Sequence, residues 1–289
     1  MNDKIWGDYD QVALDEAYDA MGSVDDFDAY LRGYTTDSAQ ARDTLAGARD
    51  VAYGAHKDQV LDVFRAPGQS TPAPVNLFLH GGYWRRLTKD ENGFAALALA
   101  PAGATVMVNT YSLAPDVHLD VIVRQCREAV VWAYRNAAAH GGDPERLYIS
   151  GHSAGGHLVA MMLATDWAGE YGLPADVIKG ATVISGIFDL RPLRHAEPQE
   201  WLQLSEEAAH RNSPLFHLPT HTCPVIVAYG ADDPAGFHDQ SQAYMAALEA
   251  HGVTVAADVF PGLDHFAAGN VLMDPENSVT RQIIAQMEL

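Results

Sequence analysis

The chain has 289 residues, with 38 acidic against 18 basic side chains and a formal charge of −20. Such a surface repels nucleic acid and anionic membranes, so neither is expected as a partner. Only Cys126 and Cys223 are present, no run approaches the roughly 18 apolar residues of a membrane span, and the acidic N-terminus lacks a basic-then-apolar leader; we expect one domain over 1–289 in a reducing, cytoplasmic setting.

In chain order, residues 1 to about 45 carry helix-period patches such as VALDEAYDAM and FDAYLRGY, predicting short helices packed on the main body. Alternating RDVAYGA and QVLDVFRA predict two strands. The Pro-rich APGQSTPAP then precedes VNLFLH, an apolar run suited to a buried strand. TVMVNTYS is a predicted strand and VIVRQCREAVVWAYRNAAA an amphipathic helix ended by the glycines of HGGD. RLYIS (strand), SAGGHLVAMMLATDW (helix) and KGATVISG (strand) follow, then PVIVAYG (strand), SQAYMAALEAHG (helix), VTVAADVF (strand) and a closing helical NSVTRQIIAQM. This alternation predicts an α/β fold, a mostly parallel, doubly wound sheet with helices on both faces. Residues 187 to about 222, rich in Pro, His, Leu and Glu, break the rhythm as a cap insertion over the site would.

The strongest chemical pattern is Gly151-His152-Ser153-Ala154-Gly155 between a strand and a helix. A nucleophilic serine must sit on a strained strand-to-helix turn, where flanking glycines avoid clashes. The helix beginning there also aims its free N–H groups at developing negative charge. Upstream, His80-Gly81-Gly82-Tyr83-Trp84 closes an earlier strand. Its backbone N–H groups suit an oxyanion hole, with two among Gly81, Gly82 and Tyr83 as donors joined by Ala154. A serine hydroxyl needs an adjacent base, and the base needs an orienting carboxylate. In chain order the candidates are Asp233, favoured over its neighbour Asp232, and then His265, both on loops after predicted strands. Asp264 adjoins His265, but adjacency along a chain does not aim a carboxylate at an imidazole Nδ1. Tyr83, Trp84, Phe266 and His152 are the candidate substrate contacts, the aromatic ones forming an apolar wall. His217 and His221 have a metal-compatible spacing, yet Pro219 between them breaks a helix, so no metal and no organic cofactor is expected.

With these motifs placed, the sequence resembles the kynurenine formamidase (arylformamidase) branch of the α/β-hydrolases, related to hormone-sensitive-lipase-type esterases. The resemblance rests on HGGYW in place of HGGG and on YSLAPDVHLDVIVRQCREAVVWAYRNAA, GGDPERLYISGHSAGGHL, ISGIFDLRPL, RNSPLF and FHDQS. LDEAYDAMGSVDDFDAYL and QVLDVFRAP extend it over nearly the whole chain. It implies an α/β-hydrolase fold, a triad of Ser153, Asp233 and His265, and cleavage of an aryl formamide such as N-formyl-L-kynurenine through an acyl-enzyme. The esterase relatives usually carry Arg in the stretch that here reads Tyr111-Ser112-Leu113-Ala114-Pro115. Substrate choice would be set in the cap, from Arg191 to His217, so a carboxylesterase acting on small aryl or acyl esters is the alternative, and a non-catalytic binding protein on the same scaffold a third. The implied partner is a small molecule with an aromatic leaving group; a second copy of the chain is a candidate partner.

Overall fold

The computed structural model describes residues 4–68 and 71–289. Eight strands form one sheet: β1 (Gly47–Ala52), β2 (Val60–Phe64), β3 (Ala73–Leu79), β4 (Thr105–Asn109), β5 (Gly142–His152), β6 (Ile178–Ile184), β7 (Val225–Gly230) and β8 (Val255–Phe260). Their order across the sheet is β1-β2-β4-β3-β5-β6-β7-β8. β1 pairs antiparallel with β2 and β2 antiparallel with β4, and every later pairing is parallel. The helices are α1 (Gln11–Tyr18), α2 (Phe27–Thr44), α3 (Ala96–Ala102), α4 (Leu119–Asn136), α5 (Ala154–Leu163), α6 (Trp167–Tyr171), α7 (Gln199–Leu202), α8 (Glu206–Arg211), α9 (Ala235–Ala250), α10 (His265–Asn270) and α11 (Ser278–Gln286).

The winding follows from this order. From β3 the chain steps to β4 in one direction, then crosses back past β3 to β5 and onward to β8. Right-handed crossovers then place the first connecting helix on one face and the next ones on the other. In keeping with this, α3 packs against α11 while α4 packs against α5. Strands covered on both faces must be apolar throughout, and β3, β4 and β7 are buried at every residue. The edge strands β1 and β8 keep exposed positions and charged residues, Arg49 and Asp50 on one and Asp258 on the other, which discourage further strand pairing.

Some boundaries differ from the sequence expectation. α2 is a single 18-residue helix rather than several short ones. It contains Gly33 and several threonines and is weak in propensity. It is held by its Asp26 cap and by two tyrosine hydroxyls that reach the rest of the fold. α9 starts at Ala235, before the expected SQAYMAALEAHG, because its first turns bury Phe237 and Gln240, the latter through polar contacts that carry no apolar periodicity. Thr110–Ser112 leave the sheet after β4. The 187–222 stretch forms two short helices, α7 and α8, and tight turns. It is fastened by Asn212 and Arg211 on Asp120 and by the Phe188 and Asp189 N–H groups on the Gln240 side-chain oxygen.

Candidate active site

Four loops at the carboxyl ends of β3, β5, β7 and β8 converge, as ligand sites in open parallel sheets do. Ser153 follows β5 directly and has φ 57° and ψ −124°, a conformation ordinary side chains avoid. The turn is held by Ser153 N–H donating to the Ile184 carbonyl at 2.8 Å. Gly155 is obligatory for packing rather than for dihedral freedom: a Cβ there would lie 2.0 Å from the Leu79 carbonyl oxygen. The elbow and the end of β3 are thus pressed backbone to backbone.

His265 is the first residue of α10, whose cap Asp264 accepts from the N–H groups of Phe266 and Ala267. Its Nε2 lies 2.9 Å from Ser153 Oγ. Behind it, Asp233 Oδ1 stands 3.4 Å from His265 Nδ1, a contact longer than a full hydrogen bond. Such contacts commonly tighten once substrate is in place. Both side chains are almost wholly buried. Burial pushes the Asp233 carboxyl up, but His265 and Ser185 beside it outweigh that and hold it below its ordinary value. Asp232 is exposed, and Asp264 is engaged by the cap and by the Tyr30 hydroxyl, which donates to it at 2.6 Å. Of the three candidate carboxylates, only Asp233 faces the imidazole.

His152 braces the same loop. Its Nε2 bonds the His265 carbonyl at 2.7 Å, and burial, aided by the neighbouring His265, pushes its pKa down to about 3. The ring is therefore neutral with the proton on Nε2.

The His80–Trp84 segment crosses in front of Ser153. A Cβ on Gly81 would meet the His152 carbonyl at 2.8 Å, so glycine permits this approach. Gly82, Tyr83 and Trp84 have φ of 98°, 52° and 56°. Side chains such as those of Tyr and Trp avoid this hand, so the surroundings must hold the run in place. The N–H groups of Gly82 and Tyr83 are not donated to any backbone carbonyl of the turn. Ala154, as the first residue of α5, has no intrahelical acceptor. His80 stacks on Tyr111 at 4.0 Å, and the Tyr111 hydroxyl donates to the His80 carbonyl, fixing the base of the segment.

A cavity opens over Ser153 and His265. Tyr83, His152 and Phe266 line it, together with Gly81 and Gly82. Trp84 does not, which corrects its assignment as a substrate wall. It is fully buried, its indole N–H donates to His157 Nδ1, and it packs edge-on against that ring. An aromatic beside a motif serves the core as readily as a ligand, and here the left-handed turn at Trp84 points it inward. The rest of the lining was not foreseen: Tyr18, Asp19, Met21 and Phe27 from the N-terminal segment, and Glu197 and Trp201 from the stretch between β6 and β7. Arg85 and Arg86, directly after HGGYW, also line it. No sequence periodicity marks these positions. Among the described residues there is no group of three or more His, Cys, Asp or Glu side chains that could hold a metal ion, and no helix is long and apolar enough to cross a membrane.

Residues 76–268 match the family model described as alpha/beta hydrolase fold. Kynurenine formamidase of Danio rerio is 36% identical over 272 residues, covering 92% of this chain and 90% of the relative. The Salmo salar protein of the same name is 35% identical over 273 residues, covering 92% and 91%. Among solved structures, one from Silicibacter sp. described as a candidate thioesterase superposes with a TM-score of 0.82 at 27% identity, covering 96% of this chain and 99% of that one. The chain is therefore a hydrolase of the alpha/beta hydrolase fold family, and within that family it belongs with the kynurenine formamidases.

Proposed function

We propose that the protein cleaves an aryl formamide such as N-formyl-L-kynurenine, with Ser153 as nucleophile, His265 as general base and acid, and Asp233 as the carboxylate that orients the imidazole. The observation that carries this is the 2.9 Å contact between Ser153 Oγ and His265 Nε2 at the floor of an aromatic cavity, with Asp233 behind the ring. The kynurenine formamidases similar to this chain lend the substrate.

As Ser153 Oγ attacks the formyl carbon, its proton passes to His265 Nε2 and the carbonyl oxygen becomes an oxyanion. The N–H groups of the Gly81–Tyr83 segment and of Ala154 receive that charge; one such donor typically contributes about 10²–10³ in kcat. The C–N bond then breaks as His265 returns the proton to the leaving aniline nitrogen. This leaves a formyl ester on Ser153, which water hydrolyses to formate by the same base. A formyl group needs almost no acyl pocket, so the aromatic cavity is free to receive the leaving group. In this reading the stretch between β6 and β7 acts as a cap that helps set specificity.

The test compares kcat/KM for N-formyl-L-kynurenine and p-nitrophenyl acetate, with Ser153→Ala as control. Preferred cleavage of the formamide, abolished in the variant, is the expected result. Fast ester cleavage with negligible deformylation would replace the formamidase reading by a carboxylesterase, and undiminished activity in the variant would remove Ser153 from the chemistry.

A further inference from the structure

Arg85 and Arg86 are both half-buried and line the cavity over Ser153. In a chain with more than twice as many acids as bases, one would expect carboxylates to claim such groups. Other arginines are claimed in this way, Arg42 by Asp62 and Asp90, Arg191 by Asp189, and Arg211 by Asp120. Neither Arg85 nor Arg86 has an ion pair or a side-chain hydrogen bond among the described residues.

Arg85 is held in another way. Its guanidinium carbon lies 4.1 Å from the centroid of the Trp201 ring. Trp201 is itself fixed, its indole N–H donating to the Tyr83 carbonyl at 3.0 Å and its ring meeting Tyr83 edge-on. A guanidinium packed on an aromatic ring is oriented through its π face, which leaves its in-plane N–H fork free. That fork matches a carboxylate bidentately. The cavity also holds acids: the Asp19 carboxylate accepts from the Gly22 N–H, and Glu197 is exposed at the rim. A purely anionic ligand would meet these two acids and the −20 surface, whereas a zwitterion satisfies both signs.

We propose that this cavity recognises the α-amino-acid head of its substrate, with Arg85 and Arg86 binding the carboxylate and Asp19 and Glu197 facing the ammonium. These four side chains are thereby assigned as specificity-determining contacts for the proposed reaction. This rests on the formamidase reading for the reaction, but the head-group contacts can be tested apart from it.

The probe is competitive inhibition of p-nitrophenyl acetate hydrolysis, by L-kynurenine and by kynuramine, which keeps the aryl ketone and amine but lacks the carboxylate. In the wild-type protein L-kynurenine should inhibit at least about tenfold more tightly than kynuramine, the scale of one charge-assisted bidentate pair. In Arg85→Gln/Arg86→Gln the ratio of the two inhibition constants should fall to near one. Arg86→Lys, which keeps the charge but not the fork, should retain part of it. Because the readout is a ratio within one protein, a change in overall activity does not mimic it. Equal inhibition by the two compounds in the wild type, or an unaltered ratio in the double variant, would overturn the proposal. A preference for L-kynurenine in a protein that fails to deformylate N-formyl-L-kynurenine would sustain the head-group site and overturn the formamidase reading alone.

Discussion

Acid should destabilise this protein through three of its buried histidines, and His157 offers the cleanest measurement. Its Nε2 bonds the Asn212 carbonyl at 2.7 Å, so that nitrogen carries the proton, and its Nδ1 accepts from the Trp84 indole N–H at 3.2 Å. A second proton would have to enter on Nδ1, in a buried site and facing another donor. Burial pushes the pKa from the ordinary 6.5 to about 4. His80 is likewise pushed to about 4 and His152 to about 3. The folded pKa lies below the unfolded one, so each group's contribution is complete above about pH 6.5 and is lost progressively as pH falls toward the folded value. At pH 5 the unfolded imidazole is almost fully protonated and the folded one is not. The difference is about 2 kcal/mol for each histidine, or about 6 kcal/mol for the three. That approaches the whole stability of many domains, about 5–15 kcal/mol. The assay is urea unfolding at pH 8 and pH 5, at fixed ionic strength, on wild type and His157→Gln. The variant should lose stability at pH 8, since it forfeits a well-fitted pair of contacts, yet its drop between the two pH values should be smaller by about 2 kcal/mol. The comparison between variants matters because self-repulsion of the −20 surface relaxes as carboxylates begin to protonate, working in the opposite direction. An identical pH 8 to pH 5 drop in the two proteins would refute the assignment of His157 as a neutral buried imidazole.

Asp233→Asn should lower kcat for p-nitrophenyl acetate by about 10⁴ with little effect on KM, because the amide leaves the imidazole in the wrong tautomer without altering the cavity; steady-state kinetics across a substrate series checks it. Tyr30→Phe removes the 2.6 Å bond to Asp264 and should cost about 1–2 kcal/mol in urea unfolding, with kcat falling more than KM as the loop carrying His265 loosens. Trp84→Phe keeps most of the buried volume but leaves His157 Nδ1 without its donor, so a loss of about 1–3 kcal/mol is expected. Its inhibition constant for L-kynurenine should match the wild type, and a large rise would restore Trp84 to the cavity wall.

The parts of this site that were readable from the chain are those where chemistry forces a short local pattern. Ser153 needs glycines two residues away on both sides because Gly151 and Gly155 touch each other and the end of β3. Asp233 follows β7, buried at every residue, and His265 follows the edge strand β8, which keeps exposed positions. Trp84 was misplaced because its orientation depends on three successive left-handed residues, a conformation no propensity predicts for Tyr and Trp. The contribution of α2 was invisible for a different reason. Tyr30 and Tyr34 reach Asp264 and the Phe266 carbonyl, residues more than 230 positions away, through single hydroxyls that leave no periodic trace. The same holds for Trp201, whose place at the cavity is set by its hydrogen bond and edge-on ring contact to Tyr83.

Tyr83 links these scattered pieces, and its geometry suggests why specificity and catalysis should be difficult to alter separately here. A non-glycine residue in the left-handed region costs on the order of 1–3 kcal/mol and persists only where its surroundings over-determine it. At Tyr83 three contacts do so: its hydroxyl donates to the Tyr18 carbonyl at the end of α1, its carbonyl accepts from Trp201 in α7, and its ring packs edge-on against Phe237 of α9. Its own N–H is one of the proposed oxyanion donors. The N-terminal helices and the stretch between β6 and β7 therefore hold the strained turn that presents this donor, in addition to lining the cavity. A substitution at Trp201 made to change the leaving-group pocket would release the Tyr83 carbonyl as well, and the Arg85 guanidinium stacked on the same indole would lose its support. Under the proposed mechanism, substrate selection and oxyanion stabilisation would share one mechanical anchor, and changes to the pocket should appear in kcat as well as in KM.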